Sequence, residues 1–241
     1  VSFAAVSAYP SQLDCTRADQ GRHGVASTQY TDRVIAGMQM LYGEGFLSPG
    51  GPDEMQVFLK DVDLSGCRVL DLGCGIGGAA VMLAEQFGAA HVTGVDIADD
   101  LIPRAQQRAR EQGLADRIDF QQHELTSSFP DGPFDLVSAQ FLHSTLEMDR
   151  SAILRRAAAA LAPGGTLLIV DHAAAPPWAS KLHHHEFPSA ESVVAGLALD
   201  SGQWERIRVE SADRVARGPD GEEAVLVDNV ILLRRSPGSG K

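Results

Sequence analysis

Val69-Leu70-Asp71-Leu72-Gly73-Cys74-Gly75-Ile76-Gly77-Gly78 reads as a buried strand that runs into a glycine turn and opens a helix. Apolar residues return at helical spacing in Ala80, Val81, Leu83, Ala84 and Phe87, so the helix is expected from about Gly77 to Phe87. Gly73, Gly75 and Gly78 satisfy the G-x-G-x-x-G pattern, in which missing side chains let the backbone pass close to a ligand. Asp96 closes the next strand, His91 to Asp96, where a carboxylate for ribose hydroxyls belongs.

By pattern alone the loop suits a dinucleotide, and Asp71 decides against one. A carboxylate two positions before the first glycine would repel a pyrophosphate, whereas it complements the cationic amino group of S-adenosylmethionine. The helix that follows would offer free N–H groups to the cofactor carboxylate. S-adenosylmethionine, leaving as S-adenosylhomocysteine, is the expected cofactor.

Outward from this segment, strands and helices alternate. Before it, Tyr30, Val34, Ile35, Met38 and Leu41 give a helical period from Thr28 to Leu41, Ser48-Pro49-Gly50-Gly51-Pro52 turns the chain, and a short helix covers about Asp53 to Val62. After it, helices are expected at about Leu101–Gln112, Met148–Ala162 and Ala190–Leu199. Strands fall at Arg68–Leu72, His91–Asp96, Arg117–Gln122, Phe134–Ala139, Thr166–Asp171, Trp204–Ser211 and Ala224–Arg234, with Gly218-Pro219-Asp220-Gly221 signalling a closing hairpin. The expected class is α/β: a Rossmann-like, doubly wound, mostly parallel seven-stranded sheet with one antiparallel strand and an N-terminal helical cap. Residues 1–24 read as a flexible arm, 25–64 as the cap, 65–235 as the core and 236–241 as a disordered tail.

A formal charge of -12 over 241 residues supplies no basic surplus for nucleic acid or an acidic membrane, and favours a cationic or neutral small-molecule substrate. Cys15, Cys67 and Cys74 lack the spacing of a zinc site or redox dithiol, so a reducing, cytoplasmic setting is expected. The longest apolar stretch, Ala157 to Val170, is cut by Pro163-Gly164-Gly165, and Val1 to Pro10 lacks the features of a signal peptide. A monomer or homodimer is expected.

Asp71-Leu72-Gly73-Cys74-Gly75-Ile76-Gly77, Val95-Asp96, Phe134-Asp135-Leu136-Val137 and Leu161-Ala162-Pro163-Gly164-Gly165 together resemble the ordered motifs of class I S-adenosylmethionine-dependent methyltransferases. Gln29-Tyr30-Thr31-Asp32 and the run from Tyr42 to Gly51 resemble the start of phosphoethanolamine and other small-amine N-methyltransferases. That resemblance implies a catalytic pair at Tyr30 and His143, and a contact from Ser48 to the cofactor carboxylate. It places the adenine contact at His123 and Glu124, where the family's aspartate is missing, and the substrate-phosphate residues at His183-His184-His185-Glu186, where its arginine and tyrosine are missing. The cofactor set expected is therefore Tyr30, Ser48, Asp71, Gly73, Cys74, Gly75, Asp96, Ile97, His123, Glu124 and Gln140, and the substrate set Phe141, His183, His184 and His185.

The expected chemistry is methyl transfer to an amine nitrogen, with His143 accepting the ammonium proton and Tyr30 closing over the site. Simpler roles compete: a hydrogen-bonded loop histidine at His143 and plain helix packing at Tyr30. The histidine run reads as a substrate-lining or exposed loop in preference to a metal site, since adjacent side chains point apart. Phe141, Trp178 and Phe187 either wall an apolar pocket or pack at strand ends. An apolar pocket would favour carbon or oxygen methylation of a prenyl, indole or polyketide-like natural product. A cofactor-binding module without catalysis is a further alternative, and a nicotinamide dehydrogenase comes last.

Overall fold

The computed structural model describes residues 30–143, 148–179, 187–218 and 220–238. Seven strands form one sheet: β1 (Arg68–Leu72), β2 (His91–Asp96), β3 (Ile118–Gln122), β4 (Phe134–Gln140), β5 (Leu161–His172), β6 (Trp204–Arg217) and β7 (Glu223–Arg235). Their order is β3-β2-β1-β4-β5-β7-β6. The first five run parallel, and β7 lies antiparallel to both β5 and β6. This is the expected doubly wound sheet with one antiparallel strand. The order reverses between β1 and β4, so a crevice opens there at the carboxyl ends of the strands.

Period-two patterning sorts the strands' side chains onto two helical layers. On one face Val69, Val92, Leu136 and Leu232 pack with α2 (Pro52–Phe58), α3 (Gly78–Glu85) and α4 (Ile102–Glu111). On the other, Leu70, Val137, Ile169 and Ile231 pack with α5 (Arg150–Ala159) and α6 (Ala190–Gly196). Removing a buried side chain of this kind from water contributes roughly 1.5–3 kcal/mol. Among the described residues no helix is long and apolar enough to cross a membrane.

One helix and two strands differ in extent from the sequence reading. Helix α5 starts at Arg150, capped by Asp149, whose carboxylate accepts from the Ala152 N–H at 2.9 Å, and it ends at Ala159. Leu161 already pairs with Phe134, while the next aligned pair is Thr166 with Leu136, so Pro163-Gly164-Gly165 bulges within the edge of β5 and does not merely precede it. Strand β6 continues past Ser211 to Arg217 because its polar residues find partners on β7.

The cap begins with α1 (Asp32–Tyr42), which Thr31 caps and Gly43 ends. It then settles directly on α3. The Gly78 N–H donates to the Gly45 carbonyl at 3.1 Å, and a Cβ on Gly78 would lie 2.4 Å from that oxygen. Only a residue without a side chain permits this approach. At the far end, the Ser236 N–H donates to Gln203 O at 2.8 Å; residues 1–24 lie outside the described residues.

Candidate active site

The glycine turn adopts left-handed backbone at Gly73, Gly75 and Gly77, with φ of 77°, 53° and 85°. Its curl is pinned to β2: the Gly73 and Cys74 N–H groups donate to Val95 O at 2.8 and 3.0 Å, and the Gly75 N–H donates to Asp96 Oδ2 at 2.9 Å. Asp96 Oδ1 accepts from the Ala98 N–H at 3.0 Å. The first N–H of α3 is not free for a ligand as the sequence suggested, because the cap carbonyl of Gly45 takes it.

Asp71 is buried and Asp96 half-buried at the ends of adjacent strands. Burial, then the neighbouring Asp96 charge, pushes Asp71 up to about 7. Burial also raises Asp96, against the lowering effect of its backbone hydrogen bonds. Asp71 Oδ2 and Asp100 Oδ1 are buried with no hydrogen-bond partner, so the site carries uncompensated acceptors that a cation would satisfy. Cys74 lies against the same pair, and burial raises its thiol.

The cap closes over this turn. Tyr30 and Leu47 pack on Ile76, Ala98 and Leu101, and Leu47 lies over Gly75. Burial, followed by the charges of Asp96 and Asp100, pushes the Tyr30 phenol up to about 12, so it stays neutral at physiological pH. Ile97 follows Asp96 and is partly exposed. Ser48 donates to Pro49 O at 3.2 Å within its own turn. Two of the expected adenine residues are engaged locally: His123 reaches Ser128 Oγ and Gln121 Oε1 at 3.0 and 2.9 Å, and Glu124 accepts from Thr126 and Ser127.

Across the crevice, Gln140 ends β4. Its Nε2 donates to Ser138 Oγ at 3.0 Å, and its Oε1 is buried beside Gly50 without a partner. Phe141 follows with φ of 48°, a strained value for an aromatic residue that turns its ring toward His172 at 4.7 Å. His143 stacks on His172 with centroids 6.2 Å apart and planes 13° apart. Tyr30 therefore lies on the Asp96 side of the edge and His143 on the β5 side. His183, His184 and His185 lie outside the described residues.

Sequence reasoning missed a polar row on the other half of the same edge. His172 ends β5 and pairs with Asp228 of β7, which pairs in turn with Ala212 of β6. His172 Nδ1 lies 3.1 Å from Asp228 Oδ1, and Arg214 Nε donates to Asp228 Oδ2 at 2.7 Å. Burial pushes Asp228 up, but the hydrogen bonds and charges of His172 and Arg214 together outweigh it and hold the carboxyl below its ordinary value. The row borders a cavity of about 310 Å³ between the cap and the β6–β7 hairpin, lined by Asp53, Glu54, His172, Trp178, Arg214 and Leu226 among others. The signal was present: Asp228-Asn229 interrupts an otherwise apolar run, Leu226 to Leu233.

Residues 69–165, the turn and the five parallel strands' connections, match the family model described as a methyltransferase domain. Over these residues the chain is similar to class I S-adenosylmethionine-dependent methyltransferase domains, and its fold and carboxylates fit S-adenosylmethionine as the cofactor. Within that class the chain resembles the phosphoethanolamine N-methyltransferases. It is 33% identical over 125 residues to the one from Plasmodium falciparum (isolate 3D7), covering 50% of this chain and 46% of that one. It is 34% identical over 133 residues to phosphoethanolamine N-methyltransferase 1 of Arabidopsis thaliana, covering 54% of this chain and 26% of that one. The match thus spans less than half the length of either relative. Haemonchus contortus phosphoethanolamine N-methyltransferase 2, solved with phosphomonomethylethanolamine and S-adenosylhomocysteine, shares the fold with a TM-score of 0.65 at 20% identity, over 87% of this chain and 58% of that one.

Proposed function

We propose that the chain transfers the methyl group of S-adenosylmethionine to an amine nitrogen of a small molecule. The observation that carries this reading is the pair of carboxylates beneath the glycine turn, buried Asp71 and half-buried Asp96, with Asp71 Oδ2 lacking any partner. The donor set fits a cationic amino group at Asp71 and ribose hydroxyls at Asp96, whose oxygens keep acceptor capacity beyond their backbone bonds. When bound, the cofactor supplies a methyl group already activated by sulfonium.

The chain's residues then have to align the acceptor, exclude water and take up a proton. Leu47 and Tyr30 shield the turn from solvent. The Tyr30 phenol, neutral with its raised value of about 12, acts as a hydrogen-bond donor and not as a base. His143, an imidazole beside the acceptor cavity, receives the proton that an ammonium must lose before attack. Asp53 and Glu54 put carboxylates in the cavity lining beside Arg214 and Arg217, and a protonated amine can face them. The phosphoethanolamine relatives support the nitrogen acceptor. The cytoplasm and a monomeric or homodimeric state are part of the same reading.

The test is turnover of methyl-labelled S-adenosylmethionine against a panel of phosphoethanolamine, ethanolamine and primary arylalkylamines, with products located by mass spectrometry and NMR. N-methyl products are expected. His143→Ala should lower kcat by about 10²-fold or more, in line with a general base, and Tyr30→Phe should lower it less. Label found only on carbon or oxygen of natural-product acceptors would replace the nitrogen reading. Cofactor binding without turnover on any acceptor would reduce the chain to a binding module.

A further inference from the structure

We infer that His172, oriented by Asp228, is a second proton acceptor for the substrate, acting in the cavity between the cap and the β6–β7 hairpin. The inference rests on the amine-methylation reading above. Three observations converge on it.

The first is the state of the ring. The hydrogen bond of His172 is made at Nδ1, to a carboxylate that is itself almost wholly buried. An imidazole held in this way keeps its proton on Nδ1 and turns the Nε2 lone pair away from the carboxylate. The second is the state of the carboxylate. Arg214 holds the opposite oxygen of Asp228, so the anion is fixed in place and in charge while His172 gains or loses a proton. A carboxylate so placed also stabilises the imidazolium that forms on proton uptake.

The third is location. His172 lines the cavity with Trp178, Glu54 and Arg214, and its ring lies against Phe141 and His143 on the segment leaving β4. It thus sits at the junction of the two halves of the sheet edge, with Asp71, Asp96 and Gln140 on one side and Asp228 and Arg214 on the other. The charged groups around it are Asp228 from β7, Arg214 from β6, Glu54 from α2, His143 after β4, and the adjacent Asp171, which is paired with Arg150 of α5. The Arg214 charge is divided between Asp228 and Glu54, at 2.7 and 3.8 Å, and the cavity lining carries Asp53 and Glu54 beside Arg214 and Arg217.

The step is a proton transfer. An N–H bond of the substrate ammonium breaks, its proton goes to His172 Nε2, and the electron pair stays on nitrogen for attack on the methyl carbon. The proton then leaves Nε2 for solvent. His172 is catalytic in this scheme, and Asp228 is a positioning residue.

Two measurements test it. With phosphoethanolamine and the amine panel, His172→Gln should lower kcat by roughly 10²- to 10⁴-fold, while S-adenosylhomocysteine affinity stays within about two-fold because the cofactor half of the edge is untouched. Asp228→Asn should lower kcat and move the acid limb of its pH profile to lower pH, and Asp228→Glu should recover part of both. Unchanged kcat and profile in His172→Gln would overturn the inference while leaving amine methylation standing. Should the wild type turn over no amine, the amine reading falls, and the dyad is judged on the second measurement: nitrogen NMR of histidine-labelled wild-type protein. There His172 should carry its proton on Nδ1 with Nε2 bare, and Asp228→Asn should disturb that signal. A proton on Nε2 would overturn the assignment, whatever the activity.

Discussion

Asp71 is costly to bury as an anion, and its cost sets a pH dependence. Its carboxyl sits at about 7 in the unliganded protein against an ordinary 3.8. A group raised in this way stabilises the folded state below its ordinary value and loses that contribution as pH rises through the folded one. The unliganded protein should therefore lose stability between about pH 4 and pH 7 from this residue, and Asp71→Asn should melt higher than the wild type at pH 8. S-adenosylmethionine reverses the preference, because its cationic amino group favours the ionised carboxylate. Affinity should rise about ten-fold from pH 6 to pH 8, the change in ionised fraction for a group near 7. Asp71→Asn should flatten that rise and weaken binding by about 2–5 kcal/mol, the range for removing one partner of a buried charge pair. Calorimetric titration at the two pH values checks both. A pH-independent wild type would remove Asp71 from the cofactor's amino group.

At the scale of elements, the cap and the sheet edge are joined by one close backbone contact. A Cβ at Gly78 would meet the Gly45 carbonyl at 2.4 Å, and one at Gly45 would meet the Gly78 Cα at 2.9 Å. Gly78→Ala should lift the cap from the start of α3, at about 1–3 kcal/mol as for other overpacked contacts. Cofactor dissociation should become faster, because Leu47 and Tyr30 ride on the same segment. Stopped-flow displacement would show it, and an unchanged dissociation rate would mean the cap does not gate exchange. The same scale explains what was legible in the sequence. Asp71, the glycine turn and Asp96 lie within one strand–turn–helix–strand unit, where local spacing fixes geometry. All seven strands could be placed from the sequence. The row His172–Asp228–Arg214 did not, because its members stand on three strands and His172 and Asp228 are 56 residues apart. They meet only because β7 inserts between β5 and β6, and the hairpin signal predicts the pairing of β7 with β6, not its insertion beside β5. The early start of β5 was hidden for a related reason: Pro163-Gly164-Gly165 reads as a stop, and nothing local shows that Leu161 has already joined the sheet.

For the molecule as a whole, the chain's charge of -12 works in the same direction as its cofactor half-site. Asp71, Asp96 and Asp100 mark the cofactor half of the edge, and Asp53 and Glu54 line the cavity beside Arg214 and Arg217. An acidic surface that ends in an acidic cofactor cleft draws cations in and raises their association rate, and added salt removes the effect. The screening length falls from about 30 Å at 0.01 M to about 8 Å at 0.15 M salt, which confines the attraction to the cleft itself. Association of S-adenosylmethionine should therefore slow several-fold over that range. S-adenosylhomocysteine, which lacks the sulfonium charge, should slow less. A protonated amine acceptor should lose kcat/KM with kcat nearly constant, since the proton transfer and methyl transfer take place inside groups already shielded from solvent. Stopped-flow association at the two salt concentrations measures the first two effects, and steady-state kinetics the third. Equal salt dependence for the two cofactor forms would show that the long-range field plays no part in selecting the sulfonium, and would leave that selection to the buried carboxylates alone.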